Sequence, residues 1–164
     1  MRERADFSRL IAELQADILN LRENQAKNAK AQRRIEEGAQ DELDWAAAGY
    51  TIHNLYNSIE NYFLRIAKFF ENVLSPDTWH RDLISRMTLD IQDVRPALID
   101  RDTSALVHEL RAFRHVFRNI YQAELDPQKV ALIQAKVPDT LRRLYSAHER
   151  YLQELTVIRD HLET

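Results

Sequence analysis

The stretch that decides the fold is LYNSIENYFLRIAKFFE, residues 55–71. Its large apolar side chains recur every three or four residues, which is the spacing of one face of an α-helix. With its neighbours the stretch predicts a long helix from about Asp41 to Leu74. The side chains on the buried face of that helix are Ile59, Tyr62, Phe63, Ile66, Phe69, Phe70 and Val73.

The rest of the chain carries similar helical signals. It has only two glycines and four prolines in 164 residues, and it is rich in Ala, Leu, Glu, Arg and Gln, which are good helix formers. Further helices are predicted at about residues 4–36, 79–88, 102–125 and 127–162, the last one broken or bent near Pro138. The sequence therefore predicts an all-α fold, an antiparallel bundle of four or five helices.

The first helix differs along its length. Its apolar stripe runs from Phe7 to Leu21, but no apolar side chain larger than alanine occurs between Arg22 and Arg34. We therefore expect residues 1–40 to form a long helix that partly projects into solvent or meets a partner. A chain of this length can bury one core, so residues 1–164 are expected to form a single helical domain.

Composition excludes several classes of protein. The chain has no cysteine, which removes disulfides and thiolate metal sites. Its net charge is -3, so binding to nucleic acid would need a local basic patch. No membrane-spanning stretch or signal peptide is recognised, so we expect a cytoplasmic protein. There is no Gly-rich phosphate loop and no nucleophile elbow, and no cofactor is expected.

The segment FRHVFRNIY, residues 113–121, lies on a helix with two different sides. At 100° per residue, one side gathers Leu106, Leu110, Phe113, Phe117 and Ile120, and the other gathers Arg111, Arg114 and Arg118 with His108 and His115. Guanidinium groups so close repel one another, and paired N–H donors suit them to phosphate. Alternatively, acids such as Glu60 or those of the 90–102 connector neutralise this face. The helical wheel leaves both interpretations open.

The histidines do not predict a metal site. His108 and His115 share a face but are seven residues apart, whereas helical metal ligands are usually three or four apart. Neither HEL at 108 nor HER at 148 is followed by the second histidine of a zinc-protease motif.

Three segments carry a family resemblance: LYNSIENYFLRIAKFFE, then WHRDLI, then LRAFRHVFRNIYQAELD. In this order, over roughly residues 45–130, they resemble HepT-like members of the HEPN superfamily. The resemblance implies a helical bundle that forms a homodimer and acts as a metal-independent endoribonuclease toxin. We expect the two cationic helices of such a dimer to face a shared cleft. The family signature is an Arg, four to six residues, a His, one residue and a Tyr. Arg114, Asn119 and Tyr121 occupy the matching positions.

The resemblance implies a role for each of these residues. Arg114 would stabilise the extra charge on phosphorus during cleavage, and Arg111 and Arg118 would bind RNA phosphates. Asn119 stands where the family has histidine and cannot exchange a proton near neutral pH, and loss of such help costs about 10²- to 10⁴-fold in rate. Attenuated cleavage is therefore expected. His115, about 100° round the helix from Arg114, is a candidate substitute for the missing histidine.

The resemblance also implies a partner. HepT-type proteins pair with a small nucleotidyltransferase-like antitoxin, MNT, which adenylylates the motif tyrosine, here Tyr121. Two other hypotheses stay open. One is a catalytically inactive binding module that docks a nucleotidyltransferase-type partner through the same face, and Asn119 favours it. The other is a purely structural helical adaptor that uses the long first helix.

Overall fold

The computed structural model describes residues 2–71, 79–119 and 124–162. The helices are α1 Arg4–Glu36, α2 Glu42–Phe70, α3 Trp79–Arg86, α4 Arg101–Arg118, α5 Pro127–Gln134 and α6 Val137–His161. The last two are the arms of the final helix that the sequence predicts to be broken near Pro138. The break falls at Ala135 and Lys136, so Pro138 lies in the first turn of α6, where its missing N–H costs no hydrogen bond. The prediction of an all-α helical bundle is confirmed.

Aspartates begin three of the helices. The carboxylate of Asp41 accepts a hydrogen bond from the backbone N–H of Asp44 at 3.0 Å and so caps α2. Asp100 caps α4 through the N–H of Thr103 at 2.7 Å, and Asp126 caps α5. A carboxylate at this position satisfies a backbone donor that has no partner inside the helix. Asp100, which ends the acid-rich connector, is thus already engaged at the start of α4.

The core is centred on α2, which packs against α1, α3, α4 and α5. The buried side chains at this centre include Leu10 and Leu14 of α1, Ile52, Ile59 and Ile66 of α2, Val107 and Leu110 of α4, and Tyr151 and Leu155 of α6. Burial of apolar surface contributes roughly 25 cal/mol per Å², so this shared core is what holds the helices together. Among the described helices, none is both long and apolar enough to cross a membrane.

The second half of α1 packs through small and amide side chains. Asn28 is buried, and its Nδ2 donates to Oε1 of Gln134 at 2.8 Å, while Nε2 of Gln134 donates back to Oδ1 of Asn28 at 2.9 Å. Ala31 and Ile35 are buried further along the helix. This part of α1 therefore lies on the bundle, where the sequence led us to expect a projecting segment. A buried amide pair escapes a search for large apolar side chains.

The α4 helix ends at Arg118, before the predicted end near Leu125, and α2 is described as far as Phe70. The predicted end of α2 near Leu74, with Val73 on its buried face, lies outside the described residues. At the end of α4, Nδ2 of Asn119 donates to the backbone carbonyl of His115 at 3.1 Å. Asparagine commonly competes for backbone hydrogen bonds in this way, which disfavours continuation of the helix.

The buried pair of Tyr62 and His148 predicts how stability depends on pH. The Tyr62 hydroxyl and Nδ1 of His148 lie 2.7 Å apart, and burial lowers the pKa of His148 below 6.5. Below pH 6.5 the unfolded chain takes up a proton that the folded chain resists, so stability falls as the pH drops from 6.5 to the native pKa. We expect His148→Gln to flatten this loss between pH 7 and pH 5, measured by urea unfolding. His161→Gln, at the exposed end of α6, should follow the wild type; equal slopes for all three proteins would contradict the prediction.

Candidate active site at the seam of α2 and α4

Three arginines of α4 border α2 and form what we call the basic seam: Arg111, Arg114 and Arg118. Arg111 and Arg114 are half-buried and Arg118 is exposed. Nε of Arg114 donates to Oδ1 of Asn57 at 2.9 Å, and its guanidinium carbon lies 5.5 Å from the centre of the Tyr56 ring. Among its described contacts, Arg114 is therefore oriented by a neutral amide and an aromatic face, neither of which carries a charge that offsets its own.

Carboxylates do not neutralise the basic seam within residues 2–71, 79–119 and 124–162. None of its three guanidinium groups forms an ion pair with a described carboxylate. Glu109, the acid of α4 that is nearest in sequence to the seam, is engaged by Lys136 of the turn between α5 and α6. Asp100 of the connector caps α4 and lies 3.9 Å from Arg143. The alternative in which the molecule's own acids pair with these arginines is not what the described residues adopt.

Three contacts fix how α4 lies along α2. A Cβ added to Gly49 would come within 2.9 Å of the Phe117 ring, so glycine allows this close approach. The Phe117 ring also lies 5.6 Å from the ring of His53. Further along α2, Asn57 meets Arg114. Higher residue numbers on α2 thus match lower numbers on α4, and the two helices are antiparallel.

This register places the buried Glu60 level with Arg111. Oε2 of Glu60 accepts hydrogen bonds from the Tyr56 hydroxyl at 2.9 Å and from Nδ1 of His80 at 2.6 Å. The His80 ring stacks on Trp79 at the start of α3, with 3.6 Å between ring centres. Burial, followed by the charge and hydrogen bond of Glu60, raises the pKa of Tyr56, whereas the charges of the arginines act in the opposite direction. An acid, a tyrosine and a histidine from two helices therefore meet beside the basic seam.

The positive charge of the basic seam contributes to lowering the pKa of two nearby histidines. Burial lowers the pKa of His53, the charges of Arg114 and Arg118 lower it further, and the charge of Glu60 acts in the opposite direction. Burial likewise lowers the pKa of His108, with a further contribution from Arg111. Imidazoles in such surroundings favour the neutral form. The surface between α2 and α4 is thus suited to an anion.

The structure divides the residues that the sequence selected. Arg111, Arg114 and Arg118 border α2, whereas His115 and Asn119 are exposed and line a groove between α4 and α5. Tyr121 lies outside the described residues. In the described ranges, no group of three or more His, Asp or Glu side chains is arranged to hold a metal ion.

A comparison with protein families decides the assignment. The family model for the HepT-like protein matches residues 47–155 of the 164. The chain belongs to the HepT-like family. The resemblance inferred from three segments is therefore confirmed, and the matched range contains the basic seam, Glu60 and His80. No curated protein and no solved structure matches this HepT-like chain.

The HepT-like signature residues can be recognised in the sequence, whereas the hydrogen-bonded group of Glu60, Tyr56 and His80 cannot. From the sequence, Glu60 was selected only as an acid able to neutralise the arginines, and Trp79 and His80 only as part of the family resemblance. The available signal was a carboxylate within the apolar face of α2. A buried carboxylate requires hydrogen-bond donors, so its position predicts that donors lie nearby. Which residues supply them cannot be predicted from the sequence.

Proposed function

We propose that this HepT-like protein is the toxin component of a toxin–antitoxin pair and a metal-independent endoribonuclease, attenuated because Asn119 replaces the signature histidine. The observation that carries the proposal is the row of Arg111, Arg114 and Arg118, in which no guanidinium group forms an ion pair with a carboxylate of the described residues. The row extends over about 10 Å along the helix axis, which suits a chain of phosphates better than a single compact anion. Such electrostatic binding weakens as salt rises, because counterions compete for the phosphates.

The proposed chemistry needs few protein groups. The ribose 2′-hydroxyl of the RNA attacks the adjacent phosphorus, and negative charge builds up on the phosphate oxygens. Arg114, held by Asn57, supplies N–H donors and a positive charge to stabilise that transition state. Arg111 and Arg118 bind neighbouring phosphates. Asn119 donates to a carbonyl of its own helix and cannot transfer a proton near neutral pH, which supports attenuation.

Replacing Arg114 by alanine tests this proposal. We expect metal-free cleavage of single-stranded RNA to fall by about 10²- to 10³-fold, as when a group that stabilises transition-state charge is removed. Arg142→Ala, which removes an exposed arginine from α6, is the matched control and should cleave like the wild type. Equal cleavage by the Arg114 and Arg142 variants would overturn the proposal.

A second candidate function is a binding module that has lost catalysis and docks a nucleotidyltransferase-type partner. The observation that favours it is Asn119, whose side chain bonds to the backbone of its own helix. RNA binding without any metal-free cleavage would support this function, and robust wild-type cleavage would exclude it. In either case the proposed partner is an MNT-type enzyme and the proposed assembly is a homodimer. Adenylylation of Tyr121 would add one AMP to the intact mass after co-expression with the neighbouring gene.

A further inference from the structure

We propose that His80, oriented by Glu60, is a catalytic residue that takes the proton from the RNA 2′-hydroxyl. This inference rests on the proposed ribonuclease function and deepens it. It concerns a side chain of α3, outside the signature positions Arg114, Asn119 and Tyr121. The proposal follows from three features of His80: its hydrogen bond, its accessibility and its position.

The hydrogen bond to Glu60 fixes which ring nitrogen of His80 is basic. An ionised carboxylate can only accept hydrogen bonds, so Nδ1 of His80 carries the proton that is donated to Oε2 of Glu60 at 2.6 Å. In the neutral form of the ring, Nε2 then carries the lone pair that can accept a proton. A carboxylate that holds a histidine in this way also stabilises the imidazolium that forms during the reaction. The stacked Trp79 ring restricts rotation of the imidazole.

The accessibility of the two side chains differs as this role requires. The Glu60 side chain keeps 8% of its surface exposed, whereas that of His80 keeps 35%. The acid is thus shielded from solvent, and the histidine remains reachable by a ligand. Shielding also strengthens the interaction between the carboxylate and the ring, because water screens it less.

The position of His80 follows from the register of α2 and α4. By that register Glu60 lies level with Arg111, and its carboxylate accepts a hydrogen bond from the Tyr56 hydroxyl. The charges of Arg111 and Arg114 both act on the same tyrosine. His80 is one hydrogen bond away from this point. RNA whose phosphate is bound by the basic seam would therefore have its neighbouring ribose next to α3.

The other five histidines of the chain lack this combination. His53 and His108 bond to Asn57 and Ser85, and His148 is buried against Tyr62. The two that remain, His115 and His161, contact Asn119 and a backbone carbonyl, respectively. Of the six histidines, His80 is the one whose ring forms a hydrogen bond with a described carboxylate.

The proposed step balances without any further reactant. Nε2 of His80 takes the 2′-hydroxyl proton as the 2′-oxygen forms a bond to phosphorus. The bond between phosphorus and the 5′-oxygen breaks, and the leaving 5′-oxygen takes a proton from water. The products are a 2′,3′-cyclic phosphate, a 5′-hydroxyl end and an imidazolium, which returns its proton to solvent.

The test compares His80→Gln and Glu60→Gln with the wild type on single-stranded RNA without metal. Glutamine at position 80 can still donate to Glu60 but cannot accept a proton near neutral pH, so we expect kcat to fall by about 10²- to 10⁴-fold with little change in KM. Glu60 is a positioning residue, so its replacement is expected to change the pH dependence of the rate. Glu60→Gln should move the ascending limb of the pH–rate profile to lower pH, because a neutral amide stabilises the imidazolium less. His161→Gln is the control and should match the wild type.

A measurement on the unsubstituted protein covers the case in which a variant does not fold. Adding a 2′-O-methyl oligoribonucleotide, which cannot be cleaved, should shift the NMR resonances of the His80 ring. Absence of a shift, or a His80→Gln variant that cleaves as fast as wild type, overturns the inference. If cleavage still depends on Arg114, the ribonuclease function survives that result. If the wild type does not cleave at all, the ribonuclease function and the catalytic role of His80 both fail, even where the resonance shifts.

Discussion

Replacing Glu71 by alanine is expected to lower the free energy of unfolding by about 3–5 kcal/mol, the usual cost of leaving a buried charge without its partner. The charge left behind belongs to Arg95, whose side chain is 0% exposed. Nε and Nη2 of Arg95 donate to Oε1 of Glu71 at 2.7 and 2.5 Å. Arg86 donates to the other carboxylate oxygen at 3.1 Å. Glu71 therefore compensates two guanidinium groups at the end of α2.

Arg95 also holds the connector between α3 and α4 in place. Its guanidinium donates to the backbone carbonyls of Arg86 at 2.8 Å and Leu89 at 3.2 Å. The Ile91 and Arg95 backbones pair across a tight turn in which Asp93 has a φ of 61°. Loss of Glu71 is thus expected to weaken the contacts that hold the connector between α3 and α4, and with it the position of α3 and His80.

Urea unfolding of Glu71→Ala beside Glu154→Ala measures this effect. Glu154 pairs with Arg150 on the exposed side of α6, and such surface pairs contribute about 0–1 kcal/mol. The double change Glu71→Leu with Arg95→Met should cost less than Glu71→Ala, because it removes both buried charges together. Equal losses for Glu71→Ala and Glu154→Ala would show that Arg95 does not depend on Glu71.

Replacing Asn119 by histidine is expected to raise metal-free RNA cleavage by about 10²- to 10⁴-fold, the usual contribution of a general acid or base. Cleavage needs one proton taken from the 2′-hydroxyl and one given to the leaving 5′-oxygen. If His80 makes the first transfer, a histidine at position 119 would supply the second. Position 119 is exposed at the end of α4, so the new ring should fit without disturbing the core.

Asn119→Gln is the matched control, because it keeps a neutral amide and cannot transfer a proton. Adding Arg114→Ala to Asn119→His should remove the gain, since the proton transfer acts on the same charged transition state. Initial rates on one single-stranded RNA, without metal, compare all four proteins. If the histidine variant is no faster than the glutamine variant, the substitution at position 119 does not explain attenuation.

The arrangement of helices followed closely from sequence, and the reason is local. The stripe from Phe7 to Leu21 and the Ile59-to-Phe70 face repeat with the period of the helix, and α1 has the predicted bounds Arg4–Glu36. The bond geometry that sets this period does not depend on what the helix later packs against. The HepT-like family was recognised for a similar reason, because its segments are continuous in the chain.

The amide pair of Asn28 and Gln134 shows what periodicity misses. These residues are 106 positions apart, and each is an ordinary surface residue when judged alone. They become buried because the end of α5 meets α1 at this point and each amide satisfies the other. A prediction based on large apolar side chains assigned that half of α1 to solvent or to a partner.

By itself, the sequence determined that Arg111, Arg114 and Arg118 share one side of a helix, because rotation per residue is fixed by the backbone. Only the tertiary structure decided what that side meets. It brought Asn57 and Tyr56 to the arginines, and it joined Glu60 to a histidine twenty positions away on another helix. The physical reason is that a buried carboxylate takes its donors from whichever helices pack around it, and packing is a property of the whole chain.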